Sequence, residues 1–80
     1  MNAPSPARVW CRSESRYAER PTAFLWEGQR VDVLRVLAQW RDPLGLGFRV
    51  LGADQGVYVL RYEQGLEAWT VEAVSSAGQP

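Results

Sequence analysis

Short runs in which apolar and polar residues alternate cover most of this chain, and turn-forming residues separate them. The clearest run is GVYVLRYE, residues 56–63, where Tyr58, Leu60 and Tyr62 share one face and the residues between them share the other. A period of two is typical of a β-strand. The same reasoning predicts further strands at 8–13, 21–27, 30–41, 47–52 and 66–74.

The stretch 30–41 supports two interpretations. As a helix, it places Val33, Leu37 and Trp40 on one face. As a strand, its alternation reverses phase between Val33 and Leu34, as one inserted residue, a β-bulge, would cause.

Two features favour the strand over the helix. The stretch is rich in valine, whose branched side chain suits a sheet, and it directly follows the turn signal Glu27-Gly28-Gln29, which needs a partner strand. The strand interpretation places Trp26 and Trp40 on the buried side of the hairpin. A short helix over 33–41 stays open as the alternative.

About six short strands joined by tight turns predict an all-β domain, a small antiparallel barrel or rolled sheet of SH3-like size. We expect five or six strands, with a long, bulged second strand in the central hairpin. Residues 13–20 and 42–47 are predicted to be loops. The predicted domain spans 8–74, between disordered tails at 1–7 and 75–80.

Composition limits the chemistry available to the chain. Its 80 residues include nine basic and nine acidic side chains, and every basic residue is arginine. Histidine and lysine are absent and Cys11 is the only cysteine, which argues against zinc sites, Ser-His-Asp catalysis, lysine Schiff bases and an internal disulfide. The carboxylates are spread through predicted turns and polar faces, and Glu27, Asp42, Asp54 and Glu63 lie in or beside turns. We therefore expect no enzyme activity, no cofactor and no metal.

The apolar runs of the chain are too short for a signal peptide or a membrane span, which bears on the cellular location. Residues 1–15 contain no run long enough for a signal peptide, and no stretch approaches the roughly 20 apolar residues of a membrane span. We expect a cytoplasmic protein without a membrane partner.

Arginines and aromatic residues are the candidates for binding. Four arginines and two glutamates fall within residues 1–20, whereas residues 50–80 hold one arginine and four acidic residues, so we expect a basic and an acidic side. Guanidinium groups beside aromatic rings suit single-stranded nucleic acid, and a protein partner is the other expectation. Trp10 is predicted to be the most exposed tryptophan. The predicted contacts are Trp10, Arg16, Tyr17, Arg20, Arg30, Arg41 and Arg49.

Two other interpretations of these side chains stay open. The arginines could form a solvated face with intramolecular ion pairs, or the chain could hide its aromatic surface in a homodimer.

Several of these segments together resemble a known family. The quoted segments are RPTAFLWEG at 20–28, VLRVLAQW at 33–40, FRV at 48–50, GVYVL at 56–60 and WTV at 69–71. They are similar to small, functionally uncharacterised bacterial domains that occur alone or on the C-terminal side of proteins resembling Y-family translesion DNA polymerases. The resemblance covers about residues 9–74. It implies an accessory module near DNA damage tolerance and supplies no catalytic residues.

Overall fold

Every regular element in the described part of the chain is a β-strand, so the all-β prediction is confirmed. The computed structural model describes residues 5–15 and 18–74. Its strands are β1 (Ser5–Ala7), β2 (Val9–Ser15), β3 (Ala18–Trp26), β4 (Gln29–Asp42), β5 (Gly45–Gly52), β6 (Val57–Glu63) and β7 (Ala68–Val74). No helix among the described residues is long and apolar enough to cross a membrane.

The strands form one antiparallel sheet that curls into a small barrel-like roll. Their order across the sheet is β1-β7-β6-β5-β4-β3-β2. Only Arg8 separates β1 from β2, and its carbonyl oxygen accepts a hydrogen bond of 2.9 Å from the Leu25 backbone N–H. One short segment therefore pairs with both ends of the sheet, which reduces the exposed edge.

The N-terminal boundary differs from the prediction. Residues 5–7 were assigned to a disordered tail, but Ser5 pairs with Val71 and Ala7 with Trp69 across β1 and β7. The backbone pairing that this segment gains at the free edge of β7 outweighs its Pro/Ala/Ser composition, and residues 5–7 belong to the sheet. The other predicted tail residues, 1–4 and 75–80, lie outside the described residues.

The core fills the inner face of the roll. Alternate residues of β5, β6 and β7 point inward, and burying side chains of this size contributes roughly 1.5–3 kcal/mol each. Trp26 and Trp69 pack against the margin of this core and stay half-buried. The buried cluster consists of Phe24, Val31, Phe48, Val50, Tyr58, Leu60 and Val71.

Strand β4 is long and bent, so the bulged-strand prediction is confirmed and the helix alternative is wrong. Its first residues pair with β3, and the rest pair with β5. Val33 lies opposite Gly52 and Arg35 opposite Leu51, which leaves Leu34 as an inserted residue. The same happens once more at Leu37, between Val36 and Ala38.

The second bulge corrects the predicted position of Trp40. With a single bulge, Trp40 would share the inner face with Val36. The insertion at Leu37 reverses the phase again, so Trp40 pairs with Gly47 and its indole lies over that glycine, where an added Cβ would overlap the ring. Trp40 is thus half-buried on the outer face. Trp26 does lie on the inner side, against Tyr58.

Two predicted loops are shorter than expected. Residues 13–20 were assigned to a loop, but β2 continues to Ser15 and β3 begins at Ala18, because the two strands continue to pair despite their polar sequence. At the other loop, only Pro43 and Leu44 form the turn. The Asp42 carboxylate accepts hydrogen bonds from the Leu44 and Gly45 N–H groups, at 2.9 and 3.1 Å, and tightens it.

Candidate functional site

Strand β2 and the residue just before it present arginine, tryptophan and arginine at alternate positions. Arg8, Trp10 and Arg12 therefore project from the same outer face. Trp10 pairs with Ala23 of β3, and Ala23 is fully buried although it lies on this outer face. Cross-strand partners are direct side-chain neighbours, so the indole lies next to the surface of β3 and is half-buried.

Two guanidinium groups lie over the Trp10 ring. The guanidinium carbon of Arg8 is 5.0 Å from the ring centroid, and that of Arg30 is 4.8 Å away. Each such contact contributes roughly 0.5–1 kcal/mol at an exposed site. Arg30 also forms an exposed ion pair of 3.3 Å with Asp32, which is weak because water screens it. The contacts hold two positive groups beside one aromatic ring.

A shallow groove continues this basic surface. Strands β3 and β4 pair only between residues 23–26 and 29–32 and then diverge, which opens a space of about 180 Å³. Three arginines line it, from β2, β3 and β4, and no carboxylate among the described side chains does. Its lining consists of Arg12, Arg20, Pro21, Thr22, Val33, Leu34, Arg35 and Val36. We call this space the arginine groove.

The groove and the Trp10 contacts form one surface, which we call the arginine face. Arg12 lies opposite Arg20 in the register of β2 and β3, so the two ends of the surface are continuous. Among the described side chains, Arg8, Arg12, Arg20 and Arg35 form no ion pair with a carboxylate. The arginine face consists of Arg8, Trp10, Arg12, Arg20, Arg30 and Arg35.

The structure brings together three of the predicted contact residues. Trp10, Arg20 and Arg30 all belong to the arginine face. Arg41 lies opposite Leu46 near the end of β4, and Arg49 lies between Ala38 and Val59; neither lines the groove or contacts Trp10. The predicted contacts Arg16 and Tyr17 lie outside the described residues.

Sequence reasoning missed Arg8, Arg12 and Arg35 as contacts. The signal for the first two was present, because Arg-x-Trp-x-Arg on a strand puts all three side chains on one face. All four tryptophans are half-buried, so exposure does not single out Trp10; its two arginine neighbours do. Arg35 reaches the groove only because of the bulge at Leu34.

A second, larger cleft lies beside the central hairpin and has a different character. It encloses about 540 Å³ and is lined by Trp26, Glu27, Gln29, Arg30, Val31, Asp32, Ala53, Asp54 and Tyr58. The Tyr58 hydroxyl donates a hydrogen bond of 2.5 Å to Asp54 Oδ2. Burial and this bond raise the pKa of Tyr58 to about 12. The same bond, together with one from the Gly56 N–H, lowers the pKa of Asp54.

These shifts keep the tyrosine protonated and the aspartate ionised at neutral pH. The described residues also contain no group of three or more His, Cys, Asp or Glu side chains that could hold a metal ion. The hydrogen bond links Tyr58 and Asp54 at the wall of this cleft.

No family model, curated protein or solved structure matches the chain.

Proposed function

We propose that this domain is a non-catalytic binding module that contacts single-stranded nucleic acid through the arginine face. The observation that supports the proposal is the convergence of five arginines and Trp10 on one surface of an otherwise neutral chain. The charges of the nine basic and nine acidic side chains cancel overall. The positive charge of this face therefore comes from the way in which the fold brings arginines together.

The geometry suits a flexible strand of phosphates and bases. Arg8, just before β2, and Arg12 in β2 are four residues apart, which corresponds to about 13 Å of extended backbone. Arg20 and Arg35 widen the positive surface beside them. Guanidinium groups pair with phosphates and also stack on bases through their planar faces. Because Arg8 and Arg30 lie against the Trp10 ring, they are held in place for both contacts.

The cellular context of the proposal comes from the sequence resemblance. It suggests an accessory role in bacterial DNA repair or translesion synthesis, in the cytoplasm, with a protein partner in addition to nucleic acid. A module that holds a single strand near a polymerase needs charge and stacking surfaces but no catalytic groups.

Fluorescence anisotropy with a labelled 20-nucleotide oligo-dT tests nucleic-acid binding. Four arginines without described ion partners predict a slope of log K against log salt of about −2.8, since single strands contribute about −0.7 per contact. Binding should weaken about 50-fold between 50 and 200 mM salt. Arg12→Ala and Arg20→Ala should each cost about eightfold at 50 mM salt.

The matched controls are Arg41→Ala and Arg49→Ala, which remove arginines outside the arginine face and should change the affinity less than twofold. No binding at 50 mM salt, or equal losses in the control variants, would contradict the proposal.

A structural homodimer is the second candidate, and one observation favours it. The outer face of β4, β5 and β6 carries Trp40, Leu51, Val57 and Val59 at half-buried positions, and pairing two such faces would bury apolar surface. Light scattering between about 10 and 500 µM distinguishes the candidates. A strict monomer over that range excludes the dimer, and a stable dimer without affinity for oligo-dT favours it over the binding module.

A further inference from the structure

One edge of β4 is open over most of its length. Beyond Asp32, β4 pairs with β5 on one side, and no described strand pairs with its other side. The diverging segment of β3, residues 18–22, pairs with β2 alone. The backbone N–H and C=O groups on the open side of residues 33–42 can therefore accept another extended chain.

Exposed leucines mark this edge. Both inserted residues of the two bulges are leucine, and 61% of Leu34 and 45% of Leu37 are exposed. Bulges commonly protect a sheet edge by bending it. Here each bulge also turns an apolar side chain outward beside the edge, which adds surface that a partner could cover.

The charge beside the edge selects the kind of partner. Arg12, Arg20 and Arg35 line the arginine groove that runs along residues 33–36 of this edge, and none of the described residues lining that groove is a carboxylate. A second copy of the chain would bring its own arginines against these three, and like charges in close contact are unfavourable. A nucleic acid would pair with the arginines but would leave the leucines and the strand edge unused.

We propose that the open edge of β4, residues 33–42, binds an extended acidic segment of a protein partner by strand addition. Backbone hydrogen bonds to β4 would supply affinity, apolar side chains of the segment would cover Leu34 and Leu37, and its carboxylates would enter the arginine groove. The inference goes beyond the proposed function and rests on the open edge. Because Arg12 and Arg20 serve both ligands, the acidic segment and single-stranded nucleic acid compete.

The test uses a fluorescein-labelled ten-residue peptide that repeats Asp-Val, and a matched peptide that repeats Lys-Val. The acidic peptide should bind with a Kd below about 1 mM, and the basic peptide should bind at least tenfold more weakly. Amide hydrogen exchange of residues 33–42 should slow in the presence of the acidic peptide, because strand addition protects edge amides. Unlabelled oligo-dT should displace the peptide.

Variants distinguish binding at this edge from binding at the arginine face. The double variant Leu34→Ser/Leu37→Ser should lose at least tenfold in affinity for the acidic peptide. Leu37→Ser alone, which changes a residue outside the groove lining, should weaken binding of the acidic peptide and keep the affinity for oligo-dT. The control Leu44→Ser/Leu66→Ser changes two leucines that are 56% and 70% exposed outside the groove, and it should bind both ligands as the unmodified protein does.

The results distinguish failure of this inference from failure of the proposed function. Absence of acidic-peptide binding at 1 mM, equal binding of the basic peptide, or binding without protection of residues 33–42 overturns the strand-addition proposal, even if oligo-dT binds. Peptide binding with protection of these amides supports it, even if oligo-dT does not bind.

Discussion

Removing the hydroxyl group of Tyr58 should destabilise the domain by an amount that depends on pH. Tyr58 is 5% exposed, and its ring contacts Phe24 and Trp26 with centroid distances of 4.8 and 5.5 Å. Tyr58→Phe keeps that packing and removes the hydrogen bond to Asp54. A hydrogen bond to a charged group contributes about 1.5–3 kcal/mol. Asp54 is exposed, so in the variant water can hydrogen-bond to its carboxylate in place of the tyrosine hydroxyl. We therefore expect Tyr58→Phe to lower the free energy of unfolding by about 1.5 kcal/mol at pH 7.

The pH dependence follows from the direction of the pKa shift. Tyr58 has a pKa of about 12 in the folded protein, against about 10 for an unperturbed tyrosine, so its contribution is complete below pH 10 and is lost as the pH rises toward 12. The difference in unfolding free energy between Tyr58→Phe and the unmodified protein should be constant from pH 6 to 9 and should shrink above pH 10. The lowered pKa of Asp54 makes the same difference shrink in acid.

Urea unfolding followed by far-UV circular dichroism at several pH values measures this difference. The matched control is Tyr62→Phe, since the Tyr62 hydroxyl forms no hydrogen bond with a described side chain. Equal stability of Tyr58→Phe and the unmodified protein at pH 7, or a difference that persists unchanged at pH 11.5, would refute the reasoning.

Two other substitutions test local features of the sheet. Gly45→Ala places a methyl group against the Tyr62 carbonyl oxygen, so thermal unfolding should show that the free energy of unfolding falls by about 2–3 kcal/mol. The control Gly65→Ala changes a glycine with open space around it, and it should leave the free energy of unfolding unchanged or raise it by up to about 1 kcal/mol. Asp42→Ala removes the oxygen that accepts the Leu44 and Gly45 N–H hydrogen bonds and also removes the ion pair of 3.0 Å with Arg61. Asp42→Asn keeps an acceptor oxygen for the turn. The alanine variant should therefore unfold at a lower urea concentration than the asparagine variant.

Local pattern was sufficient to predict most of the sheet. The hairpin at Glu27 and Gly28 has positive φ values of 52° and 82° at its two turn residues, the geometry of a two-residue turn that matches strand twist. The inward set Tyr58, Leu60 and Tyr62 follows directly from alternation. Both features depend only on residues that are close in sequence, so the sequence of this chain was enough to predict them.

Trp40 shows where local pattern fails. The alternation of Leu34, Val36, Ala38 and Trp40 looks continuous, so nothing in it marks the bulge at Leu37. The bulge is decided across strands, where Gly47 leaves room for the indole on the outer face. The pairing of residues 5–7 with β7 is likewise a long-range contact that the composition of the segment does not indicate.

Only the part of the arginine face that depends on local spacing could be predicted from the sequence. Spacing along β2 and the residue before it aligns Arg8, Trp10 and Arg12, but only the register of β3 and β4 adds Arg20 and Arg30 to them. Arg41 and Arg49 looked equivalent to these residues in sequence because charge alone does not reveal which strands diverge.

Amide chemical-shift mapping of the ¹⁵N-labelled protein during titration with oligo-dT at 50 mM salt tests the central claim most directly. We predict the largest shifts for the Trp10 indole N–H and for the backbone amides of Arg8, Arg12, Arg20 and Arg30, with little change in residues 45–74. Shifts centred on Arg49 and Arg61, or none at saturating oligonucleotide, would contradict the assignment of nucleic-acid binding to the arginine face.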